Sequence, residues 1–303
     1  MTTAQPQQMR WTTWAAFFAL CLLSASSWLL PEGGADESSI AQQGFFYGII
    51  GLLACAFSYR SIWARVSRGD LLWLKAAAMS ILLLGVPVVA VEWTRDGISD
   101  INCAALFALV PFVIVVVAIG RELEPGVRRF FVPALISFGG VLLLLPFNFP
   151  TSPRGQIVFA VLLVVVALVG FGSERIYSLL RELGTLESLA IVFLANAVFL
   201  MACGLTGLST VSSRSVASYL LSIRSLYSLV ELLLLVWLLR AMSPVRLATR
   251  YLLVPLLSVL EGIAFLRPPL TLRMGAGLVL LVAGATYLLL SRGGDSDAVL
   301  SIR

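Results

Sequence analysis

Two glutamates, Glu231 and Glu261, lie well inside apolar segments of the chain. A charge at the centre of a membrane costs about 2.5–3.5 kcal/mol on insertion scales, so such a carboxylate normally faces a cavity or a partner group. An intramembrane carboxylate can bind the cationic or amino part of a substrate, or it can take up a coupling proton. The alternative is a structural ion pair, in which either glutamate binds Arg224, Arg250 or a backbone donor.

Glu231 belongs to a polar stripe in the apolar segment 217–239. Arg224, Tyr227 and Glu231 are at positions i, i+3 and i+7, which places all three on one face of a helix. Glu231 is nine residues before Arg240, or roughly 13 Å along a helix, so we expect it near the membrane midplane. The stripe is therefore a candidate substrate-binding or coupling site.

Glu261 belongs to a similar stripe, which Pro255 and Ser258 share. Glu261 is six residues before Arg267, roughly 9 Å from the predicted outer boundary at the helical rise. We therefore include Ser258 and Glu261 among the candidate substrate-binding or coupling residues.

The composition predicts that these stripes belong to membrane helices. Of the 303 residues, 59% are hydrophobic and 12% are charged, and the mean hydropathy is +0.98. A soluble domain carries about twice that charged share. The net charge is +5, but the arginines are spread over many short links, which indicates membrane topology rather than nucleic-acid binding.

The residue inventory argues against catalysis. The chain has no histidine, all six aspartates fall in predicted loops or tails, and none of the four cysteines forms a CxxC motif. The usual general base and the commonest metal ligand are therefore missing. We expect no catalytic residue, no metal site and no cofactor, and hence no enzyme.

Ten apolar runs are long enough to cross a bilayer, which takes about 20 helical residues. The links between them are short. The predicted spans 1 to 10 are 12–30, 41–59, 71–93, 101–119, 130–148, 156–173, 186–206, 217–239, 244–266 and 271–291.

The distribution of basic residues predicts the orientation. With both termini in the cytoplasm, the inner segments carry fifteen basic residues and the outer loops carry five. Basic residues concentrate in cytoplasmic loops, so this arrangement is favoured. We expect a multi-pass protein of the plasma (inner) membrane with both termini cytoplasmic.

The chain contains an internal repeat at an offset of 144 residues. The tripeptide LVP occurs at 109–111 and at 253–255, and residues 82–145 give 15 identities in 64 ungapped pairs, among them Trp93 with Trp237 and Gly140 with Gly284. We interpret residues 1–148 and 149–303 as two five-helix copies. Because five is odd, the second copy enters from the opposite side, which is the inverted-repeat architecture of many transporters.

The repeat also pairs Pro111 with Pro255, each near the middle of its span. A proline inside a helix frees a carbonyl and bends the helix. Either the kinks face a water-filled cavity, where a free carbonyl is tolerated, or they are packing kinks of the kind common in membrane helices.

Two stretches resemble a known family. Spans 4–5 read SDINCAALFALVPFVIVVVAIGRELEPGVRRFFVPALISFGGVLLLL, and the end of span 8 to span 10 reads WLLRAMSPVRLATRYLLVPLLSVLEGIAFLRPPLTLRMGAGLVLLVAGATYLLL. Both look like the EamA-type domain of the drug/metabolite transporter superfamily, with a small-residue-rich span, a mid-span proline, a short turn and a glycine-containing last span. The resemblance implies an all-α fold of ten transmembrane helices, in which spans 1, 3, 4, 6, 8 and 9 line the pathway.

The sequence departs from this family pattern in two places. Ser24 and Ala25 stand where Trp-Gly is common in span 1, and Pro268 replaces the turn glutamate that the first half keeps as Glu124. We interpret the serines of span 1, Ser24, Ser26 and Ser27, as small packing residues.

The resemblance implies a secondary transporter that exports a small metabolite or drug-like solute by alternating access. The alternative is a non-transporting membrane scaffold or sensor on the same fold. The expected partners are a small-molecule substrate and the lipid bilayer, with no nucleic acid, in a monomer or homodimer.

Overall fold

The structure is a computed structural model, which describes residues 5–29, 40–94, 97–120, 127–208, 223–266 and 271–290. The described residues form helices and the links between them, with no strand in these ranges. This confirms the predicted all-α class.

Thirteen α-helices are described. They are α1 (Gln5–Ser26), α2 (Ile40–Ser67), α3 (Leu72–Ser80), α4 (Val86–Thr94), α5 (Asp100–Phe107), α6 (Val110–Gly120), α7 (Phe131–Leu144), α8 (Pro153–Arg181), α9 (Thr185–Cys203), α10 (Ile223–Ala241), α11 (Pro244–Ala248), α12 (Arg250–Leu266) and α13 (Leu272–Leu290). Two π-helical turns, Ile81–Gly85 and Gly204–Leu208, and two 3-10 turns, Ser27–Leu29 and Val127–Phe130, complete the described elements.

Eight helical segments of the described chain are long and apolar enough to cross a membrane. They correspond to spans 2 to 7, 9 and 10 of the sequence analysis. Span 1 is an apolar helix over its described residues 11–26, and span 8 corresponds to α10. The protein is therefore a multi-pass membrane protein by its helices.

The outer surface of the helices is apolar. Large side chains such as Leu52 and Phe57 on α2 are 63% and 78% exposed, and Val164 on α8 and Val198 on α9 also point outwards. A water-soluble monomer rarely exposes contiguous apolar surface of this kind. Lipid chains are the solvent that fits it.

The described chain packs as two compact units. Unit 1 contains Met1–Trp93 and Arg175–Ser243, and unit 2 contains Thr94–Glu174 and Pro244–Arg303. Each unit takes helices from both predicted copies, 1–148 and 149–303. The units are defined by contacts between helices, whereas the predicted copies are defined by the repeat in the sequence, so their boundaries need not coincide.

In unit 1, α2 and α9 pack antiparallel along a glycine stripe on α2. A Cβ on Gly44 would lie 3.0 Å from the Met201 backbone nitrogen, and a Cβ on Gly51 would lie 2.9 Å from that of Leu194. Gly44 and Gly51 are seven residues apart and share one helix face. Small residues let membrane helices approach this closely.

In unit 2, α7 and α13 pack against each other in the same way. A Cβ on Gly140 would lie 2.6 Å from the Leu281 nitrogen and 2.9 Å from the Gly277 oxygen. A Cβ on Gly284 would overlap Ser137 Oγ and lie 2.7 Å from the Pro133 oxygen. The two helix backbones are therefore in direct contact.

Candidate substrate-binding or coupling site

The carboxylate of Glu231 lies on α10 and is half-buried. It accepts a short hydrogen bond from the Ser24 hydroxyl of α1, a residue 207 positions away in the sequence. Both residues belong to unit 1. The partner of Glu231 in this structure is thus a neutral hydroxyl on another helix.

Tyr227 lies one turn before Glu231 on the same face of α10. Its phenol donates a short hydrogen bond to the carbonyl of Leu23, next to Ser24 on α1. Two successive residues of α1 are therefore held by two residues of one α10 stripe. The third member, Arg224, lies in the first turn of α10, and its side chain is outside the described residues.

The contact between α1 and α10 follows from the pattern of α1. Phe17, Cys21 and Ala25 recur every four residues and are fully buried, and Leu20 lies beside them on the same face. This face packs against α10 in unit 1. Ser24 follows Leu20 by four residues and lies on the same helix face, so its hydroxyl faces α10.

The last turn of α1 is held by its own serines as well. The hydroxyl of Ser26 donates to the Leu22 carbonyl at 2.8 Å, and that of Ser27 donates to the Ser24 carbonyl at 3.0 Å. Packing alone, the interpretation of all three serines from the sequence, does not account for the bond from Ser24 to Glu231. Nothing in the sequence signals this pairing, because Ser24 and Glu231 are 207 residues apart.

The second stripe, Pro255, Ser258 and Glu261, lies on α12 in unit 2, and all three residues are half-buried. A Cβ on the neighbouring Gly262 would meet no atom within 4 Å, so the helix has open space there. Arg250, a predicted ion-pair partner, donates a hydrogen bond from Nη2 to the Tyr251 hydroxyl at 2.8 Å. The structure thus places the two glutamates in different units, and a common pathway for both remains a prediction.

The two repeat prolines differ in local structure. Before Pro111 the helix is interrupted, because α5 ends at Phe107 and α6 begins at Val110. Pro255, in contrast, lies inside the continuous helix α12. Pro111 is buried and Pro255 is half-buried. The cavity-facing kink and the packing kink both stay predictions for these two prolines.

A third irregularity was not predicted. Span 3 contains the π-helical turn Ile81–Gly85, followed by Pro87 in α4. The turn packs on Asn196 of α9, whose Nδ2 donates to Ser80 Oγ at 3.3 Å. Gly85 is required here because a Cβ would lie 2.9 Å from Asn196 Oδ1. The G-x-P sequence was the available signal, since prolines and π-turns both break the regular hydrogen-bond ladder.

A charged cluster at the ends of α2, α8, α9 and α10 was also missed. Buried Glu187 lies 3.3 Å from Arg65 Nε and accepts the Gly184 N–H at 2.8 Å. Arg240 donates to the carbonyls of Leu180 at 3.0 Å and Leu183 at 2.7 Å. These bonds add charged donors to carbonyls at the end of α8, where the intrahelical N–H donors run out. The cluster fixes the turn between α8 and α9.

The Glu231 site has the chemistry of a cation or proton acceptor. An ionised carboxylate has about four acceptor positions, and the Ser24 hydroxyl uses one of them. A protonated carboxyl or a bound cation changes which of these positions the Ser24 hydroxyl can use. A ligand or proton at Glu231 would therefore act on the contact between α1 and α10.

No protein-family model and no curated protein matches the chain. Fourteen chains of solved structures match it in fold. One of them, a crystal structure described only as that of a protein, has a TM-score of 0.67 and 18% sequence identity, and the match covers 91% of this chain and 95% of that chain. At this identity, the likeness concerns the fold alone.

Proposed function

We propose that the protein is a secondary transporter that exports a small metabolite or drug-like solute across the plasma membrane by alternating access. The observation that carries the proposal is the Glu231 carboxylate, which lies on α10, the helix of predicted span 8, and accepts a hydrogen bond from Ser24 of another helix. Intramembrane carboxylates of this kind mark substrate, ion or proton pathways.

The mechanism follows from what Glu231 binds. When the carboxylate is ionised and has no ligand, the Ser24 hydroxyl donates a hydrogen bond to it, and this bond joins α1 to α10. A proton or the cationic group of a substrate competes for the same oxygens, so binding favours an arrangement in which the hydrogen bond between α1 and α10 is weaker. A ligand shifts a conformational equilibrium only by such a difference in affinity between the two states.

Contacts within unit 2 support the proposed ten-helix inverted repeat. Phe107 and Tyr251 are 144 residues apart, and their rings stack with centroids 6.1 Å apart. A residue and its repeat mate touch where a pseudo-twofold axis passes between them. Gly140 contacts Leu281 while Gly284 contacts Ser137, which is the same pair of positions with the two copies exchanged.

The remaining parts of the proposal rest on the sequence. The excess of basic residues in the segments assigned to the inside supports cytoplasmic termini. The motifs of spans 4–5 and 8–10 support membership of the drug/metabolite transporter superfamily. The proposal involves no enzymatic reaction, metal or cofactor, and the transporter acts as a monomer or homodimer.

The test is flux in proteoliposomes that contain the full chain. Amino acids, nucleotides and cationic drugs such as ethidium are first screened for thermal stabilisation of the purified protein. The stabilising compound is then assayed for uptake at several pH values. We expect Glu231→Gln to abolish or uncouple transport, and Ser24→Ala to shift the pH dependence of the rate.

Glu182→Gln is the matched control, because it makes the same chemical change at an exposed position at the end of α8. The control must transport like the wild type, and all variants must be inserted and monodisperse. Normal flux with an unchanged pH profile in Glu231→Gln contradicts the assigned role of this residue. A wild-type chain that moves none of the stabilising compounds favours a scaffold or sensor instead.

A further inference from the structure

Two of the described helices are longer than a bilayer requires. Helix α2 has 28 residues and α8 has 29 residues, so each is about 42–44 Å long, against a hydrocarbon thickness of about 30 Å. Tyr59 lies 19 residues after the start of α2, about 28 Å along the helix. The last two turns of α2 therefore reach the level of the lipid headgroups.

The outward face of α2 changes its chemistry at this level. Phe45 and Leu52 form the earlier part of an exposed stripe, and Tyr59 and Trp63 continue it at spacings of seven and four residues. Tyr59 is 56% exposed and Trp63 is 72% exposed. Aromatic residues with a polar edge occupy the membrane–water interface, so the stripe runs from lipid chains to headgroups.

Arg60 is fixed at the same level by its neighbour. Its Nε donates to the Tyr59 hydroxyl at 2.9 Å, and its guanidinium carbon lies 5.7 Å from the centre of the Tyr59 ring. This arrangement orients the guanidinium, whose terminal nitrogens carry its other four N–H donors. Arg65, one turn further along, instead points inwards to Asp70, Glu182 and Glu187.

The end of α8 carries the same pair of residue types. Arg181 Nη1 donates to the Tyr177 hydroxyl at 2.8 Å, and its guanidinium carbon lies 5.1 Å from the centre of that ring. The bond from Arg65 to the Glu182 carbonyl joins the ends of the two long helices. An arginine oriented by a tyrosine therefore occurs at the end of each helix that extends beyond the hydrocarbon.

We propose that Tyr59, Arg60 and Trp63, the headgroup surface of α2, bind the phosphate of an anionic phospholipid such as phosphatidylglycerol. A guanidinium offers paired N–H donors to phosphate oxygens, and the tyrosine removes part of the entropy cost of ordering it. Trp63 packs on the glycerol region beside it. The inference requires only that α2 crosses the bilayer, so it is independent of transport and of Glu231.

Trp63 provides the assay. The protein is placed in nanodiscs of phosphatidylcholine that contain a minor fraction of brominated phosphatidylglycerol or, in parallel, brominated phosphatidylcholine. The quenching of Trp63 is the difference between wild type and Trp63→Phe, since the chain has seven tryptophans. We expect a preference of about five-fold for phosphatidylglycerol, the effect of one arginine at a membrane surface.

Arg60→Gln must remove this preference. Arg128→Gln, which removes an equal charge at an exposed residue of unit 2, must leave it unchanged. Equal loss in both variants, or equal quenching by the two lipids in the wild type, overturns the proposal in favour of diffuse charge attraction. Loss of the preference on adding millimolar inorganic phosphate at constant ionic strength also overturns it, because the site then binds soluble anions.

Discussion

The contact between α7 and α13 can be tested with two adjacent glycines. A Cβ at Gly140 would lie 2.6 Å from the backbone nitrogen of Leu281 and 2.9 Å from the backbone oxygen of Gly277. A Cβ at Gly139 would meet nothing within 4 Å. Gly139→Ala and Gly140→Ala are therefore the same chemical change in the same helix. Only the second places its new methyl group against the backbone of α13.

The magnitude follows from two opposing effects. Replacing glycine by alanine inside a helix stabilises it by about 1 kcal/mol, and this gain is common to both variants. Overpacking costs about 1–3 kcal/mol, and the upper part of this range applies to Gly140 because backbone atoms cannot rotate away. We expect Gly139→Ala to be neutral or stabilising and the difference between the variants to be about 2–3 kcal/mol.

Reversible unfolding in mixed micelles with increasing SDS, followed by circular dichroism, measures this difference. The partner helix provides an independent repeat, because a Cβ at Gly277 would lie 2.8 Å from the Leu144 nitrogen and one at Gly275 would meet nothing within 4 Å. If the alanine variants of Gly140 and Gly277 are as stable as those of Gly139 and Gly275, the direct backbone contact is refuted.

Two further predictions concern polar contacts at the helix ends. Arg240→Gln removes two hydrogen bonds, to the carbonyls of Leu180 and Leu183, while the Leu180 carbonyl keeps longer bonds from the Leu183 N–H at 3.3 Å and the Ser188 hydroxyl at 3.4 Å. We expect a loss of about 1–2 kcal/mol in the same unfolding assay, partly restored in Arg240→Lys because lysine keeps the charge but not the paired donors. Asn102→Ala removes two hydrogen bonds to the backbone of Asn148, at 2.8 and 3.1 Å. We expect this variant to lose about 2 kcal/mol in the free energy of unfolding and to make the link after α7 more sensitive to proteolysis. Asn148→Ala keeps that backbone and is expected to cost less than about 0.5 kcal/mol; equal losses in the two asparagine variants contradict the assigned pairing.

The helices themselves were predictable because apolar runs of spanning length are a local property. Their ends were not. The predicted span 41–59 becomes a helix that continues to Ser67, and 156–173 becomes one that extends from Pro153 to Arg181. A span predicted from hydropathy ends at the first charged residues. The helix itself continues through Arg65 and Arg181, because its backbone and side chains still have hydrogen-bond partners there.

The interruption of span 4 and the π-turn of span 3 show a second limit. The sequence predicts a perturbed helix at Pro111 and equally at its mate Pro255, but the break before Pro111 is at residues 108–109, whereas the break before Pro255 is at Thr249, more than a turn earlier. The effect of a proline depends on which neighbours accept the freed carbonyl. Those neighbours come from other helices, and the sequence of the proline-containing segment does not determine which of their residues pack against it.

The bond between Ser24 and Glu231 joins two departures that the sequence analysis treats separately. Glu231 departs from the repeat, because its mate at the 144-residue offset is Pro87, and Ser24 departs from the Trp-Gly pattern of the family that the chain resembles. Neither departure identifies the other across 207 residues. In the structure the Ser24 hydroxyl donates a hydrogen bond to the Glu231 carboxylate. A half-buried carboxylate is stabilised by such a donor, so Glu231→Gln should relieve the requirement for a hydroxyl at position 24. The double variant Ser24→Ala/Glu231→Gln should therefore be more stable than the sum of the two single effects predicts, and strictly additive effects would show that the two departures are unrelated.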